Sequence, residues 1–335
     1  MTEKRYGLDI GSLNIRIASL AAERFLTEKN VITIRDNKLI LGYGNDAYEM
    51  FEKAPEGTEV CFPVEYGVIS DLDKTGLILE HLFKKINDGK IDKGAEFLIS
   101  VPNDTTEVER RAFYELVANS RLRPRGIDII DQAVADAVAC HVDVLGFDGN
   151  LVVNIGAQVT NISLISQGGI VLSRTLKFGG SQISDAIIAA VKQYNKILIG
   201  KKSADQVKFK TTDLSEYPEY HELTLFGRAV ETGLPARCTV NSDIVNDAVA
   251  KTLKPIADNV KIMVDKAPPN LAYTVKTNGI YIVGGSANLT GIEHFFEQEL
   301  NIPVNLIKDP ANSTIRGITR VLLNPKYDVL MTSLD

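Results

Sequence analysis

The stretch Tyr6-Gly7-Leu8-Asp9-Ile10-Gly11-Ser12-Leu13-Asn14-Ile15-Arg16-Ile17-Ala18 runs apolar, then carboxylate, then glycine, then into a second alternating run. About 145 residues later the order returns in Leu151-Val152-Val153-Asn154-Ile155-Gly156-Ala157-Gln158-Val159-Thr160-Asn161-Ile162-Ser163-Leu164, with a carboxamide in the carboxylate's place. Each reads as two strands joined by a tight glycine turn. Such a turn lets the backbone come close to an anion and can aim its amides at phosphate oxygens. One hairpin of this kind is common and says little. A pair heading halves of similar length predicts a duplicated architecture that clamps a polyphosphate from two sides.

The remaining composition suits such a protein. A chain of 335 residues is long for one core and fits two domains. Apolar content of 44% and charged content of 24% are those of an ordinary globular protein. A net charge of −6 argues against a basic nucleic-acid-binding surface. Cys61, Cys140 and Cys238 stand far apart without a CxxC, which predicts a reducing compartment and no structural zinc. The four histidines, His81, His141, His221 and His294, are scattered and form neither a metal motif nor a triad. Met1-Thr2-Glu3-Lys4-Arg5 leads straight into the first strand, and no apolar run reaches about 18 residues. The expectation is a cytoplasmic protein that meets a membrane only peripherally.

Along the chain, alternation predicts strands at 6–18, 30–33 and 39–42, then a helix at 45–53. Residues 72–86 have helical periodicity, with Leu77, Leu79, Leu82, Phe83 and Ile86 near one face. A buried strand at 97–101 precedes a helix at 106–120 whose Thr106 and Glu109 form a capping box. A short strand at 128–130 leads to a small-residue helix at 132–140. The second half repeats this plan with strands at 151–155, 159–166 and 169–176, then a helix at 182–194 capped by Ser181. Residues 195–250 read as a polar insertion. A long helix at 242–264, a loop at 267–269, a strand at 279–283, a helix at 291–300, a strand at 304–307 and a helix at 312–323 complete a mixed α/β chain.

Taken in order and spacing, these segments resemble the actin-like ATPases, and within them the bacterial rod-shape MreB family. Asp9-Ile10-Gly11-Ser12 is similar to that family's first phosphate loop, 154–160 to its second, and Gly284-Gly285-Ser286-Ala287-Asn288-Leu289-Thr290-Gly291 to its adenosine loop. Gly67-Val68-Ile69-Ser70-Asp71, Val101-Pro102-Asn103, Gly233-Leu234-Pro235 and Asn301-Ile302-Pro303-Val304 add family-specific matches. The resemblance covers nearly the whole chain. It implies an actin-like fold of two RNase H-like domains, with ATP or ADP and Mg²⁺ in the cleft between them. The first half is expected over 1–140, with a smaller subdomain near 30–66 and the C-terminal segment 312–335 packed back on it. The second is expected over 141–311, with a smaller subdomain near 181–250. The resemblance also implies filaments of identical subunits at the inner face of the cell membrane, with partners in wall synthesis and morphogenesis.

Residue by residue, the carry-over is specific. Splitting a γ-phosphate needs charge neutralisation and an oriented water. Asp9 is placed to hold waters of a bound Mg²⁺, or else serves as a turn residue. Gly11, Ser12, Leu13 and Asn14 offer donors to phosphate. Arg16 falls where actin has a phosphate-contacting lysine and the MreB family usually has an apolar residue; it either meets a β-phosphate oxygen or is solvated. Gln132 aligns with the residue that orients the attacking water, where the MreB family commonly has Glu. Asn154 departs from the family's Asp. A carboxylate about 5 Å from a divalent ion attracts it by about 6–7 kcal/mol gross at an effective dielectric near 20, and desolvation cancels much of this. Hydrolysis is therefore the step placed in doubt. Gly156, Ala157, Gln158, Val159 and Thr160 form the second phosphate turn, with Ala157 replacing a Gly or Asp usual in the family, and Gly179 and Gly180 follow. Asp205 and Lys208, one helical turn apart, match an acid-and-lysine pair that faces adenosine, although an exposed ion pair has the same spacing. Gly284, Gly285, Ser286 and Ala287 are expected at purine and ribose.

Three functions follow: a filament-forming ATPase, a degenerate scaffold that binds nucleotide with little hydrolysis, or a sugar or acetate kinase. The last needs an acceptor-facing carboxylate and a substrate loop, and neither is seen. For membrane contact the loop at 87–94 offers only Ile91 as an apolar residue, with Lys84, Lys85 and Lys90 nearby for anionic lipid.

Overall fold

The computed structural model describes residues 4–91 and 93–334. Met1, Thr2 and Glu3 of the expected N-terminal lead-in, Asp92 of the 87–94 loop, and Asp335 lie outside the described residues. The chain divides into two compact units. The first comprises Met1–Gly146, Gln167–Arg174 and Asn312–Asp335; the second comprises Phe147–Ser166 and Thr175–Ala311.

The first unit is built on a six-stranded sheet ordered Thr332–Ser333, Gly126–Asp131, Glu96–Val101, Arg5–Ile10, Asn14–Ser19, Arg24–Lys29. Arg5–Ile10 pairs antiparallel with Asn14–Ser19 and parallel with Glu96–Val101, which in turn runs parallel to Gly126–Asp131. Parallel neighbours need a crossover, and helices Leu72–Ile86 and Glu107–Ala118 supply it. The first helix buries Ile78, Leu79, Leu82, Phe83 and Ile86 against Tyr6, Phe97 and Ile99 of the sheet. Tyr6 stacks on Phe97 and meets Phe83 edge-on, with centroids 5.5 and 5.1 Å away. Leu77, expected on the apolar face, is exposed, because the buried stripe runs through position 78 instead. Glu107–Ala118 starts with the expected capping box: the Thr106 amide donates to Glu109 Oε2 at 2.7 Å, and the Glu109 amide donates to Thr106 Oγ1 at 3.2 Å.

The second unit repeats the plan. Its sheet orders Gly169–Leu176, Thr160–Ser166, Asn150–Ile155, Ile280–Val283, Val304–Leu306. An antiparallel hairpin again leads into parallel strands. The compact-unit boundary falls inside Gly169–Leu176, after Arg174. A separate three-stranded sheet, Ile197–Leu198, Glu222–Ala229 and Pro235–Asn241, occupies the polar insertion.

Several elements escaped the sequence patterns. Arg24–Lys29 is a strand although only Phe25 and Leu26 break its polar run; its position at the sheet edge asks for little apolar surface. The loop expected at 267–269 is a single break between helices Ser242–Lys266 and Pro269–Asn278, the second opening on a proline whose missing N–H costs nothing in a first turn. The helix expected at 182–194 begins at Gly180 with Gly179, not Ser181, at its cap; Gln182 Oε1 accepts the Gly179 amide at 2.8 Å.

Within the first unit, helix Gln132–Ala139 lies against the C-terminal helix Ser313–Leu323. The fully buried Asp136 carboxylate accepts hydroxyl hydrogen bonds from Ser313 at 2.7 Å and Thr314 at 2.8 Å. Gly317 is the point of closest approach: a Cβ there would stand 1.8 Å from the Ala135 carbonyl oxygen. Gly317→Ala must push the helices apart and is expected to destabilise the protein by about 1–3 kcal/mol, the usual range for overpacking. A urea unfolding curve whose midpoint is unchanged would refute this contact.

Candidate functional site

The first hairpin turn is closed by the Gly11 amide donating to the Asn14 carbonyl at 2.9 Å. Three further bonds fix it. Asn30 Nδ2 donates to the Gly11 carbonyl at 2.9 Å, the Asn30 amide donates to the Leu13 carbonyl at 2.9 Å, and Ser12 Oγ accepts the Gly67 amide at 3.0 Å. Leu13 and Asn14 stay half-exposed at the tip. Behind the turn, Asp9 and Arg16 are directly opposite across the strand pair. Arg16 Nη1 donates to Asp9 Oδ2 at 2.8 Å, and its Nε donates to Asn312 Oδ1 at 2.9 Å. Asp9 Oδ1 also accepts the Ser100 hydroxyl at 3.2 Å. Arg16 is thus neither solvated nor loose: its side chain is only 12% exposed and is held by Asp9 and Asn312.

Gln132 is the first residue of its helix and is half-buried. Asn103 Oδ1 accepts the Ala133 amide at 3.3 Å and so anchors that helix start. Arg110 pairs with Asp131 at 2.7 Å immediately before it.

The second hairpin uses the same turn. The Gly156 amide donates to the Val159 carbonyl at 2.9 Å. A Cβ on Gly156 would sit 3.0 Å from that carbonyl, and one on Gly11 would sit 3.2 Å from its own. The strand pairing is also in register: Asn154 opposes Asn161 where Asp9 opposes Arg16. Both Asn154 and Asn161 are buried, and Asn161 Oδ1 accepts the Thr175 hydroxyl at 2.8 Å. Helix Gly180–Asn195 docks its start on this turn. The Gly180 amide donates to the Gly156 carbonyl at 2.9 Å and the Ser181 amide to the Ala157 carbonyl at 2.7 Å. A Cβ on Gly179 would meet the Gly156 oxygen at 2.6 Å. The roles visible for Gly179 and Gly180 are therefore close approach and turn support, with their own amides engaged by protein acceptors.

Asp205 and Lys208 form a cluster buried on the lysine side rather than an exposed pair. Lys208 is 4% exposed, and its Nζ donates to Asp205 Oδ1 at 2.7 Å, Ser184 Oγ at 2.9 Å and the Gly180 carbonyl at 3.1 Å. Ser184 Oγ in turn donates to Asp205 Oδ1 at 2.6 Å. A Cβ on Gly180 would approach Ser286 Oγ to 3.0 Å, so the glycine pair, the lysine and Ser286 converge. Gly284, at φ +90°, is held against the second hairpin, since a Cβ there would stand 2.5 Å from Asn154 Oδ1. Gly285 differs: a Cβ there meets nothing within 4 Å.

Inside the second unit the structure thus brings together residues 154–160, Gly179, Gly180, Asp205, Lys208 and residues 284–287; inside the first it brings together Asp9, residues 11–14 and Arg16. Supporting residues went unread in the sequence. Asn103 stands in a family-specific match that does not announce its bond to the Ala133 amide, while Asn30, Ser184 and Asn312 are short polar side chains whose partners are 19 to 296 positions away, so no local pattern marks them. Asp213 is another. It bridges to Thr290, and its carboxylate accepts amides from Ser215 at 3.0 Å and Glu219 at 2.8 Å. Burial alone would raise its pKa, but those hydrogen bonds outweigh burial and hold it below the usual carboxylate value.

As donors for a hydrated Mg²⁺ these residues fit poorly. The carboxylate of the first hairpin is neutralised by Arg16, and the second hairpin carries a carboxamide. Among the described residues no group of three or more His, Cys, Asp or Glu side chains is arranged for a metal ion.

The sequence model of the MreB/Mbl protein family matches residues 3–328. The chain belongs to that family. It is 29% identical to the cell shape-determining protein Mbl of Bacillus subtilis over 325 residues, 97% of each chain. It is likewise 29% identical to the cell shape-determining protein MreB of Escherichia coli over 316 residues, covering 92% of this chain and 90% of that one. MreB5 of Spiroplasma citri, solved with AMPPNP, superimposes with a TM-score of 0.92 at 25% identity over 98% of both chains. The MamK double helical filament matches at a TM-score of 0.76 and 18% identity, over 96% of this chain and 99% of that one. The expected fold is therefore the one found: this is an actin-like protein.

Proposed function

We propose that this chain is an ATP-binding, filament-forming actin-like protein of the MreB type, acting in cell shape or wall synthesis from the cytoplasmic side. The observation that carries the reading is the twinned hairpin, with one turn hydrogen bond of 2.9 Å and one cross-strand register in both units. MreB5 of Spiroplasma citri, a relative over 98% of both chains, has been solved with AMPPNP and with ADP. Residues 11–14 and 156–160 hold phosphates chiefly by backbone. Asp205, Lys208 and residues 284–287 serve the nucleoside side, with Gly179 and Gly180 letting the second turn pack closely against them. Gln132 orients the attacking water.

The open space beside Gly285 gives a clean test. Isothermal titration is expected to show ATP binding to the wild type and at least a tenfold loss, about 1.4 kcal/mol, in Gly285→Asp. That variant adds a carboxylate to open space without a steric conflict in the fold. A wild type with no affinity for ATP or ADP defeats the reading.

Assembly is proposed to use the insertion sheet and its hairpin loop, where Leu198 and Phe226 of the strands and Leu234 of the loop are 49%, 77% and 64% exposed. Head-to-tail contact between copies gives an open filament when the rotation does not close. Wild-type protein is expected to pellet with ATP, and Phe226→Asp is expected to remain in the supernatant. Equal pelleting of the two would move the contact elsewhere.

Membrane association is proposed to run through partners. Ile91, the apolar residue of the 87–94 loop, is half-buried against the first unit's core and is not presented for insertion. Among the described residues no helix is long and apolar enough to cross a membrane.

A second reading, a nucleotide-gated scaffold with little hydrolysis, is favoured by Asn154. A carboxamide cannot polarise water as a carboxylate does. Asn154→Asp is expected to raise phosphate release about tenfold while ATP affinity changes by less than about threefold. Unchanged release in a wild type that already turns over readily would reduce Asn154 to a turn residue.

A further inference from the structure

The family relationship implies that a divalent cation accompanies the nucleotide, and of the two hairpin side chains that would anchor it here Asp9 is ion-paired and Asn154 is uncharged. Asp9 is 3% exposed and engaged at both oxygens: one accepts Arg16 Nη1 at 2.8 Å, the other accepts Ser100 at 3.2 Å. Its charge is neutralised by a guanidinium that is itself fixed from a second side by Asn312 at 2.9 Å. At the same register position of the second hairpin stands Asn154, which carries no charge. Neither hairpin therefore offers an uncompensated carboxylate, and a hydrated Mg²⁺ brought near Asp9 would be repelled by Arg16.

The first hairpin instead carries a permanent cation. Arg16 lies on the strand that leaves residues 11–14 and is directly opposite the residue that enters them. A guanidinium stays charged at all working pH values and offers five N–H donors in a plane. Asp9 and Asn312 hold it in a single orientation, so little side-chain entropy remains to be lost when an oxyanion arrives.

We propose that Arg16 replaces the protein-anchored divalent cation in this chain, so that it binds ADP and ATP with almost no dependence on Mg²⁺. The proposal rests on the nucleotide-binding reading above and adds to it the source of the positive charge.

The experiment is equilibrium titration of the full chain with ADP, once in MgCl2 and once in EDTA, with ADP rather than ATP chosen so that turnover does not intervene. The expected affinities agree within about threefold. Arg16→Gln is expected to lose about ten- to a hundredfold in EDTA, the range of one charge-assisted hydrogen bond. Arg16→Lys, which keeps the charge, is expected to recover part of that loss. Circular dichroism shows whether the variants fold, and the wild-type comparison stands without them. A wild type that binds in MgCl2 but loses tenfold or more in EDTA overturns the proposal and leaves nucleotide binding intact. Absence of binding in both buffers overturns the nucleotide reading itself. Equal wild-type affinities with an unaffected Arg16→Gln would remove Arg16 from the role.

Discussion

Much of this structure hangs on one turn made twice. In each unit a glycine amide reaches the carbonyl three residues on at 2.9 Å, and a side chain on that glycine would crowd the same carbonyl. The bond fixes the strand register behind it, and register in a sheet decides which side chains share a face. In the second unit the turn carbonyls of Gly156 and Ala157 also receive the first amides of helix Gly180–Asn195. That docking places Gly180 beside Lys208 and Ser286. A displaced turn would shift the helix start, the lysine cluster and the 284–287 loop together.

What the two copies share is backbone; where they differ is charge. Asp9 faces Arg16 in the first, and Asn154 faces Asn161 in the second. An ion pair this little exposed is stable only with its remaining lone pairs and protons satisfied. Ser100 and Asn312 meet that need. The second pair needs no such compensation, because carboxamides bring no net charge into the interior. Similar reasoning covers Lys208, a buried ammonium with three acceptors around it.

The hairpins could be read from the sequence because period-two alternation around a glycine is a local signal, as is the capping box at Thr106 and Glu109. The family resemblance added the order of the loops, and the comparisons support it over residues 3–328. Elements with weak local signals were lost. Arg24–Lys29 is polar because it lies at an edge, and Pro269 looked like a loop although it opens a helix. At the candidate site the residue types were legible but their partners were not. Nothing near Arg16 in the chain announces Asn312, and nothing near Lys208 announces Ser184. The spacing of Asp205 and Lys208 suits an exposed pair equally well; only the burial of Lys208 separates the two readings.

Backbone and side chains therefore divide the labour in a way that bears on how such a protein can drift. A turn that offers amides needs a glycine and its register, and it tolerates wide variation in the residues around it. Positioning a water or a metal needs particular charges at particular atoms, so one substitution can remove it. A side chain at Gly179 or Gly284 would clash, with a Cβ 2.6 and 2.5 Å from its nearest neighbour, whereas at Gly11 or Gly156 it would only crowd the turn carbonyl, at 3.2 and 3.0 Å. By the resemblance drawn from the sequence, the chain's departures at positions 16 and 154 lie in side chains. Changes of that kind leave both hairpin turns geometrically intact while altering the electrostatics around them, on which hydrolysis would depend under the proposed function. Under the proposed function binding can then outlast hydrolysis, because the phosphate-holding turns are built from backbone and Arg16 still supplies a positive charge.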